Sequence, residues 1–426
     1  MKCLVIEGLP RPRRVSPRGK MIFRISMFLV LSMGAASLCA QDFREDRFAV
    51  RGFGTIAAVT HDTDDVEFRR NTGQSDGAGA GEVEFASDSL LGVQLSAKLP
   101  ADFDVVVQGV THQRADGDWV PQLTQGYLRW SPDDSFVVRA GRVGYDIYLL
   151  AESRQVGYSY LSARPSPEFY GQISNDDIDG GDLTYKRRIG GGLVRARLFA
   201  GAGDGELAFE DGTSSESQQR LVGATLDYLR GGWTARIAMV QISYDAGNDI
   251  PLLVAGLRAT GLPQAASIAN DLDERVYHSF GVQAGVAYDD GPLQAQLLYG
   301  FANSDSISGP DFNKVLAEVG YRLDRWTPFV AFATSRDRNP IRTTGLPDLP
   351  MFAPLNGAIV RIQEVTRSTQ HTATAGVRYD LSSHFDFKLQ VDRMHAADTS
   401  LLFDRRPDAG SPVDLTVFTA SVDFVF

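Results

Sequence analysis

Cysteine is almost absent from this chain. The 426 residues carry two, Cys3 and Cys39, both within the first forty. Past that point there is no thiol for a disulfide, a nucleophile or a Cys-based metal site, so in an oxidising compartment stability has to come from the fold itself. Long apolar runs are missing too. After residue 40 none reaches the roughly 20 residues that a membrane-crossing helix needs, so a membrane-spanning form of this chain has to be a closed sheet. Positive charge is in deficit: the formal net charge is −11, which disfavours nucleic acid as a partner. His112, His278, His371, His384 and His395 are scattered, with no helical i,i+4 pair and no zinc spacing. There is no Gly-x-Ser-x-Gly elbow and no Gly-Lys-Ser/Thr phosphate loop. The expectation is therefore a protein that is not an enzyme and holds neither cofactor nor metal. Two acidic groups invite a cation reading. Asp177, Asp179, Gly180 and Asp182 lack the acid that would close a calcium loop, and read as an acidic turn. His61, Asp62, Asp64 and Asp65 could bind a divalent ion and read as a solvated external loop.

The first forty residues have the order of an export signal. Lys2, Arg11, Arg13, Arg14, Arg18, Lys20 and Arg24 face a single acid, Glu7; an apolar run, Ile25 to Leu38, follows, then small residues up to Ala40. Met21 offers an alternative start, because 21–40 alone is a compact signal. Cys39 follows Leu38, which is bulky where a lipoprotein signal takes a small residue. Cleavage after Ala40 leaves 386 of the 426 residues and takes the net charge from −11 to −17, since the segment holds seven bases and one acid. The domain reading is a signal over 1–40 and one unit over 41–426.

That unit alternates. Leu91, Val93, Leu95, Ala97 and Leu99 interleave with Gly92, Gln94, Ser96 and Lys98; Val222, Ala224, Leu226 and Tyr228 interleave with Gly223, Thr225 and Asp227. Val194–Ala200, Phe280–Tyr288 and Val315–Tyr321 repeat the pattern. A period of two sends successive side chains to opposite faces, and segments of about ten residues suit a tilted membrane strand. Tyr127, Trp130, Tyr228, Trp233, Tyr288, Tyr321, Trp326 and Tyr379 gather near segment ends, as two interfacial girdles would.

The connections alternate as well. Tight polar turns fall at Pro100-Ala101-Asp102, Ser131–Asp134, Ile189–Gly192, Arg230-Gly231-Gly232, Asp289-Asp290-Gly291, Leu323-Asp324-Arg325 and Leu381-Ser382-Ser383. Between them lie longer stretches near 61–85, 114–119, 143–177, 204–217, 245–276, 303–310, 338–366 and 396–412. Seven tight turns and eight long connections imply an all-β antiparallel barrel of about sixteen strands. Starts are expected near 47, 87, 103, 120, 135, 178, 192, 218, 232, 277, 291, 311, 325, 367, 384 and 413, with a short helix inside 251–273.

The last segment, Val413 to Phe426, puts Phe418, Ala420, Val422, Phe424 and Phe426 on one face and Thr419, Ser421 and Asp423 on the other. A bare apolar edge invites aggregation, which pairing the last strand with the first prevents. With this strand, the stretch Phe136–Arg142 (a strand ending in Gly-Arg before a long loop) and the alternating connections, the chain resembles the sixteen-stranded general porins of Gram-negative bacteria. The resemblance covers nearly all of 41–426 by architecture and few places by residue. It implies an outer-membrane homotrimer with one water-filled pore per subunit, passing small hydrophilic solutes and ions. It also implies that the terminal strand, with Phe424 and Phe426, is read by the barrel-insertion machinery, and that the loop 143–177 folds into the pore. Asp146, Glu152, Arg154 and Glu168 are the neck residues expected on that loop. Arg51, Lys98, Arg129, Arg139, Arg195 and Arg197 are expected on the facing wall, where opposed charges would set a transverse field. The acidic balance suggests a mild preference for cations. Two other functions fit an exported barrel or β-rich chain: an outer-membrane lipid hydrolase and a surface adhesion protein.

Overall fold

The computed structural model describes residues 47–173, 175, 177–210, 212–245, 249–273, 276–408 and 410–426. The segment expected to be an export signal, with Cys3, Cys39 and Met21, lies outside them, as does Asp176. Sixteen strands close into one antiparallel cylinder. In chain order they are β1 (Phe48–His61), β3 (Leu90–Lys98), β4 (Phe103–His112), β5 (Gln122–Trp130), β6 (Phe136–Gly144), β7 (Asp177–Ile189), β8 (Gly192–Ala208), β9 (Ser214–Arg230), β10 (Trp233–Asp245), β11 (Val276–Asp290), β12 (Leu293–Ser304), β13 (Phe312–Tyr321), β14 (Trp326–Asp337), β15 (Ser368–Asp380), β16 (Phe385–Thr399) and β18 (Val413–Val425). Each pairs with its neighbour, and β1 closes the ring on β18, with Phe53 opposite Val425 and His61 opposite Val417. Two short strands, β2 (Val66–Phe68) and β17 (Leu402–Asp404), pair with each other at the end that carries the long connections, packed on Met394, Ala396, Leu415 and Val417.

The faces divide as the alternation requires. Leu198 and Val222 point outward and are 60% and 57% exposed, whereas Arg197, Thr225 and Asp227 beside them point inward and are buried. A cylinder has no edge strand, so each strand is laddered on both sides, with register shifts at Gln108/Gly109 and Thr369/Gln370. Tight turns need left-handed backbone, which Gly191 (φ 79°) and Gly231 (φ 56°) supply without a Cβ penalty.

Seven of the eight aromatics sit on the outer rim at the tight-turn end, with Trp233 on Tyr288 (4.8 Å) and Trp326 on Tyr379 (4.4 Å). Tyr127 departs from this expectation: it packs inward, its ring 5.2 Å from the Arg139 guanidinium. Outward-facing Phe280, Tyr299, Phe332 and Phe418 lie further along their strands, Tyr299 and Phe332 at mid-strand, so the seven form one rim and not the two girdles expected.

Three departures lie in the long connections. The expected loop 204–217 shrinks because β8 and β9 keep pairing up to Ala208 opposite Ser214. Side-chain alternation fades there while the backbone ladder continues. The single helix expected in 251–273 is two, α2 (Asp249–Ala259) and α3 (Pro263–Leu272), separated by Gly261 at φ 68°. A further helix, α4 (Ala353–Glu364), occupies the 338–366 connection. Its Ile359 packs with Val254, Leu257 and Leu272 in one apolar cluster, so tertiary burial stabilises these short helices. The acidic stretch 177–182 is no turn. Asp179 pairs outward with Arg142 (2.7 Å) and Asp182 inward with Arg139 (2.5 Å), so the sheet separates them.

Candidate functional site

Between β6 and β7 the chain enters the cylinder and crosses it. The first leg lies on the wall of β6 to β10. Tyr145 and Ile147 pack against Val143, Ile178, Phe199, Leu221 and Val240. The Asp146 carboxylate then accepts from Arg236 Nη1 (2.5 Å) and Arg197 Nη1 (2.6 Å). Glu152 accepts from Arg139 Nη2 (2.6 Å) and Arg197 Nη1 (2.9 Å). Burial pushes the Glu152 carboxyl up, but the two guanidinium groups outweigh it and hold the group below the ordinary glutamate range.

The second leg lies on the far wall, β14 to β18 with β1. Lys388 Nζ donates to the carbonyls of Gly157 (2.8 Å) and Ser162 (3.1 Å) and pairs with Asp423 (2.9 Å). Arg378 Nη1 donates to the carbonyls of Tyr158 (2.8 Å) and Tyr160 (3.1 Å). Gly157 lies so close to the wall that a Cβ there would sit 1.9 Å from Asp423 Oδ1 and 2.4 Å from Thr55 Oγ1. Beyond it, Arg164 is buried between three elements. It donates to Asp88 (2.5 Å) from the first long connection, to Asp392 (2.9 Å) on β16 and to Thr419 on β18. The last leg carries a one-turn helix, α1 (Pro167–Tyr170), whose Phe169 and Tyr170 pack with Leu149 on Leu298, Leu316 and Ala333. Arg154 then ties the loop to its own exit, donating to the Asn175 carbonyl (2.6 Å).

The candidate residues therefore divide. Asp146, Glu152, Arg139 and Arg197 come together as one ion-pair cluster. Glu168 is not part of it: buried on β15, it accepts from Gln370 (2.9 Å), from Thr372 and from Ser166 (2.8 Å). Arg129 pairs with Asp104 (2.6 Å) and Arg195 with Asp227 (2.7 Å), one strand away and short of the loop. Arg51 and Lys98 face the interior by the parity of their strands and remain exposed. Arg236, Arg378 and Lys388 are not among the expected residues, and Arg164 is expected only as a charge on the loop. The first three occupy inward positions of their strands, so parity could have found them; the partners of Arg164 come from segments hundreds of residues apart, and no local signal points to them. Phe424 and Phe426 lie on the outer face, their rings covering Gly54 and Gly52.

Around β10 to β18 and β1 the loop packs directly on the wall, and inward residues such as Gln283, Lys388 and Asp423 have no exposure. What stays accessible inside is the stretch from β3 to β8 toward the tight-turn end, where Gln94, Ser96 and Gln125 are part-exposed.

Among solved structures, the outer membrane channel DcaP of Acinetobacter baumannii aligns with 89% of this chain and 97% of its own, at 12% identity and a TM-score of 0.51. The chain has the porin-like fold of outer-membrane channels. Also similar are Salmonella typhi OmpF in complex with daunomycin (13% identity, 90% and 99% of the two chains, TM-score 0.49) and Vibrio cholerae OmpT (12% identity, 90% and 99%, TM-score 0.49). At these identities the likeness is one of fold. No protein-family model matches the chain, and no curated protein matches it significantly.

Proposed function

We propose that this chain is an outer-membrane channel in a Gram-negative envelope, letting small hydrophilic solutes and ions cross by diffusion without chemical change. The observation that carries the reading is the loop tethered to opposite walls inside a closed cylinder. A segment held by Arg139, Arg197 and Arg236 on one side and by Lys388 and Arg378 on the other subdivides the interior, and the passage is the eccentric space along β3 to β8. Such a neck, walled by charge in a low-dielectric frame, sorts solutes by size and sign. The outward apolar belt beside an aromatic rim at the tight-turn end supports a lipid setting. In this reading the subunits form a homotrimer, and the machinery that inserts barrels reads the terminal strand through Phe424 and Phe426. Purified protein added to a planar bilayer gives stepwise, ohmic conductance increments. A folded preparation that inserts and never conducts refutes the channel reading. Migration as a trimer that collapses only on boiling in detergent tests the assembly.

A further inference from the structure

Charge inside the cylinder is segregated, and the segregation names a solute class. On the β10–β18 side the loop acid Glu168 and the wall acids Glu318, Asp386, Asp392 and Asp423 are all buried. On the accessible side the inward positions hold Arg51, Lys98, Arg129, Lys186, Arg188 and Arg195. Lys186 and Arg188 share the face of Thr184, which accepts from inward-pointing Arg197 (3.2 Å). Two carboxylates along this stretch, Asp182 and Asp227, are 1% and 0% exposed at the side chain, against 42% for Arg129 and 32% for Arg195; the more exposed Asp104 (17%) and Glu152 (32%) are each paired with arginine. The loop acids Asp146 and Glu152, which could have countered them, are held by Arg139, Arg197 and Arg236.

Two details sharpen the point. Arg129 lies directly opposite Arg139, and Lys186 directly opposite Arg195, on neighbouring strands. Like charges at facing positions destabilise a sheet unless something of opposite sign sits between them. Arg129 and Arg139 have Asp104 and Asp182 for that purpose. Lys186 has no carboxylate within ion-pair reach among the described residues, and neither do Arg51, Lys98 and Arg188. A chain with a net charge of −11 thus presents its accessible inner wall as cations. Arginine forks and lysine ammoniums at such spacing suit small oxyanions, carboxylate or phosphate.

We infer that the passage is anion-preferring, with Lys186, Arg188, Arg51 and Lys98 as the contact groups for small oxyanions. This rests on the channel reading above and reverses the cation preference that overall composition suggests, because the acids inside are buried or paired with arginine. The test is the reversal potential of single channels in a potassium chloride gradient. The sign expected is that of chloride preference, and inorganic phosphate added at constant ionic strength lowers the chloride current by competing for the wall. Replacing Lys186→Gln, Arg188→Gln, Arg51→Gln and Lys98→Gln together moves the anion-to-cation ratio toward one and abolishes the phosphate effect. The Lys186→Gln/Arg188→Gln pair alone does so in part, and serves if the fourfold variant fails to fold. A conducting wild type that prefers potassium, or variants with unchanged selectivity, overturns the inference and leaves the channel reading standing. A barrel that inserts without conducting removes both.

Discussion

Arg164 is the side chain whose removal should release the loop most cleanly. Its side chain is 2% exposed, it bridges two carboxylates that are themselves buried, and its contacts join the first long connection, the crossing loop and two barrel strands. Arg164→Met keeps the aliphatic stem and takes away the charge, leaving Asp88 and Asp392 buried without their cation. Deleting one partner of a buried pair costs about 3–5 kcal/mol. The sheet ladder does not depend on this contact, so the cost falls on the docked position of the loop. At about 1.4 kcal/mol per tenfold, the detached population rises roughly a hundred- to several-thousand-fold. Arg154 lies on the same loop, so tryptic cleavage after it in the folded, detergent-solubilised barrel reports that population when opening is fast relative to cleavage. The triple variant Arg164→Met, Asp88→Asn, Asp392→Asn should recover most of the protection, because a neutral, well-packed replacement of a buried pair costs little. Wild-type cleavage rates in Arg164→Met, with strand content unchanged by circular dichroism, would refute the reasoning.

Other outcomes follow from the same contacts. Gly157→Val forces side-chain atoms into Asp423 and Thr55, so the segment 157–162 leaves the wall; single-channel current becomes noisier, while quiet wild-type records would show the approach to be dispensable. Lys388→Met strips two loop carbonyls and Asp423 of their shared donor and lowers the unfolding midpoint in denaturant; an unchanged midpoint would mean the group contributes nothing net. Glu152 is held below its ordinary value of 4.5, so its tether is complete above that pH and is lost as pH falls through the depressed value; acid should raise tryptic access to the loop, and Glu152→Gln should show that access already at neutral pH.

The strands were legible because one physical demand, apolar outward and polar inward, repeats every second residue. β4, β8 and β18 begin at Phe103, Gly192 and Val413, where alternation and turn residues put them. Alternation fades over 204–208 and 214–217, a stretch rich in Gly, Ser and acids, which is why the paired extension of β8 and β9 reads as loop. α4 is hidden by its own composition: Asn-Gly-Ala-Ile-Val is a poor helix signal alone and becomes a helix by packing Ile359 on α2 and α3. For the site, the wall positions Arg139 and Arg197 and the loop acids Asp146 and Glu152 could be named from strand parity and loop position. Their pairing could not, since it depends on where a long loop lands. Glu168 shows the limit: it shares the loop and charge of Asp146 yet docks on Gln370 and Thr372, far from the arginines.

The account turns on water inside the cylinder and lipid outside it. Past residue 40 the chain has no cysteine, so single cysteines can be placed along β3 without background. In proteoliposomes, a membrane-impermeant maleimide should label cysteine at Gln94, Ser96 and Lys98 and spare it at Leu91, Val93 and Leu95. Labelling with period two in that phase is the predicted result; uniform labelling, or labelling of the Val93 and Leu95 face, would contradict it.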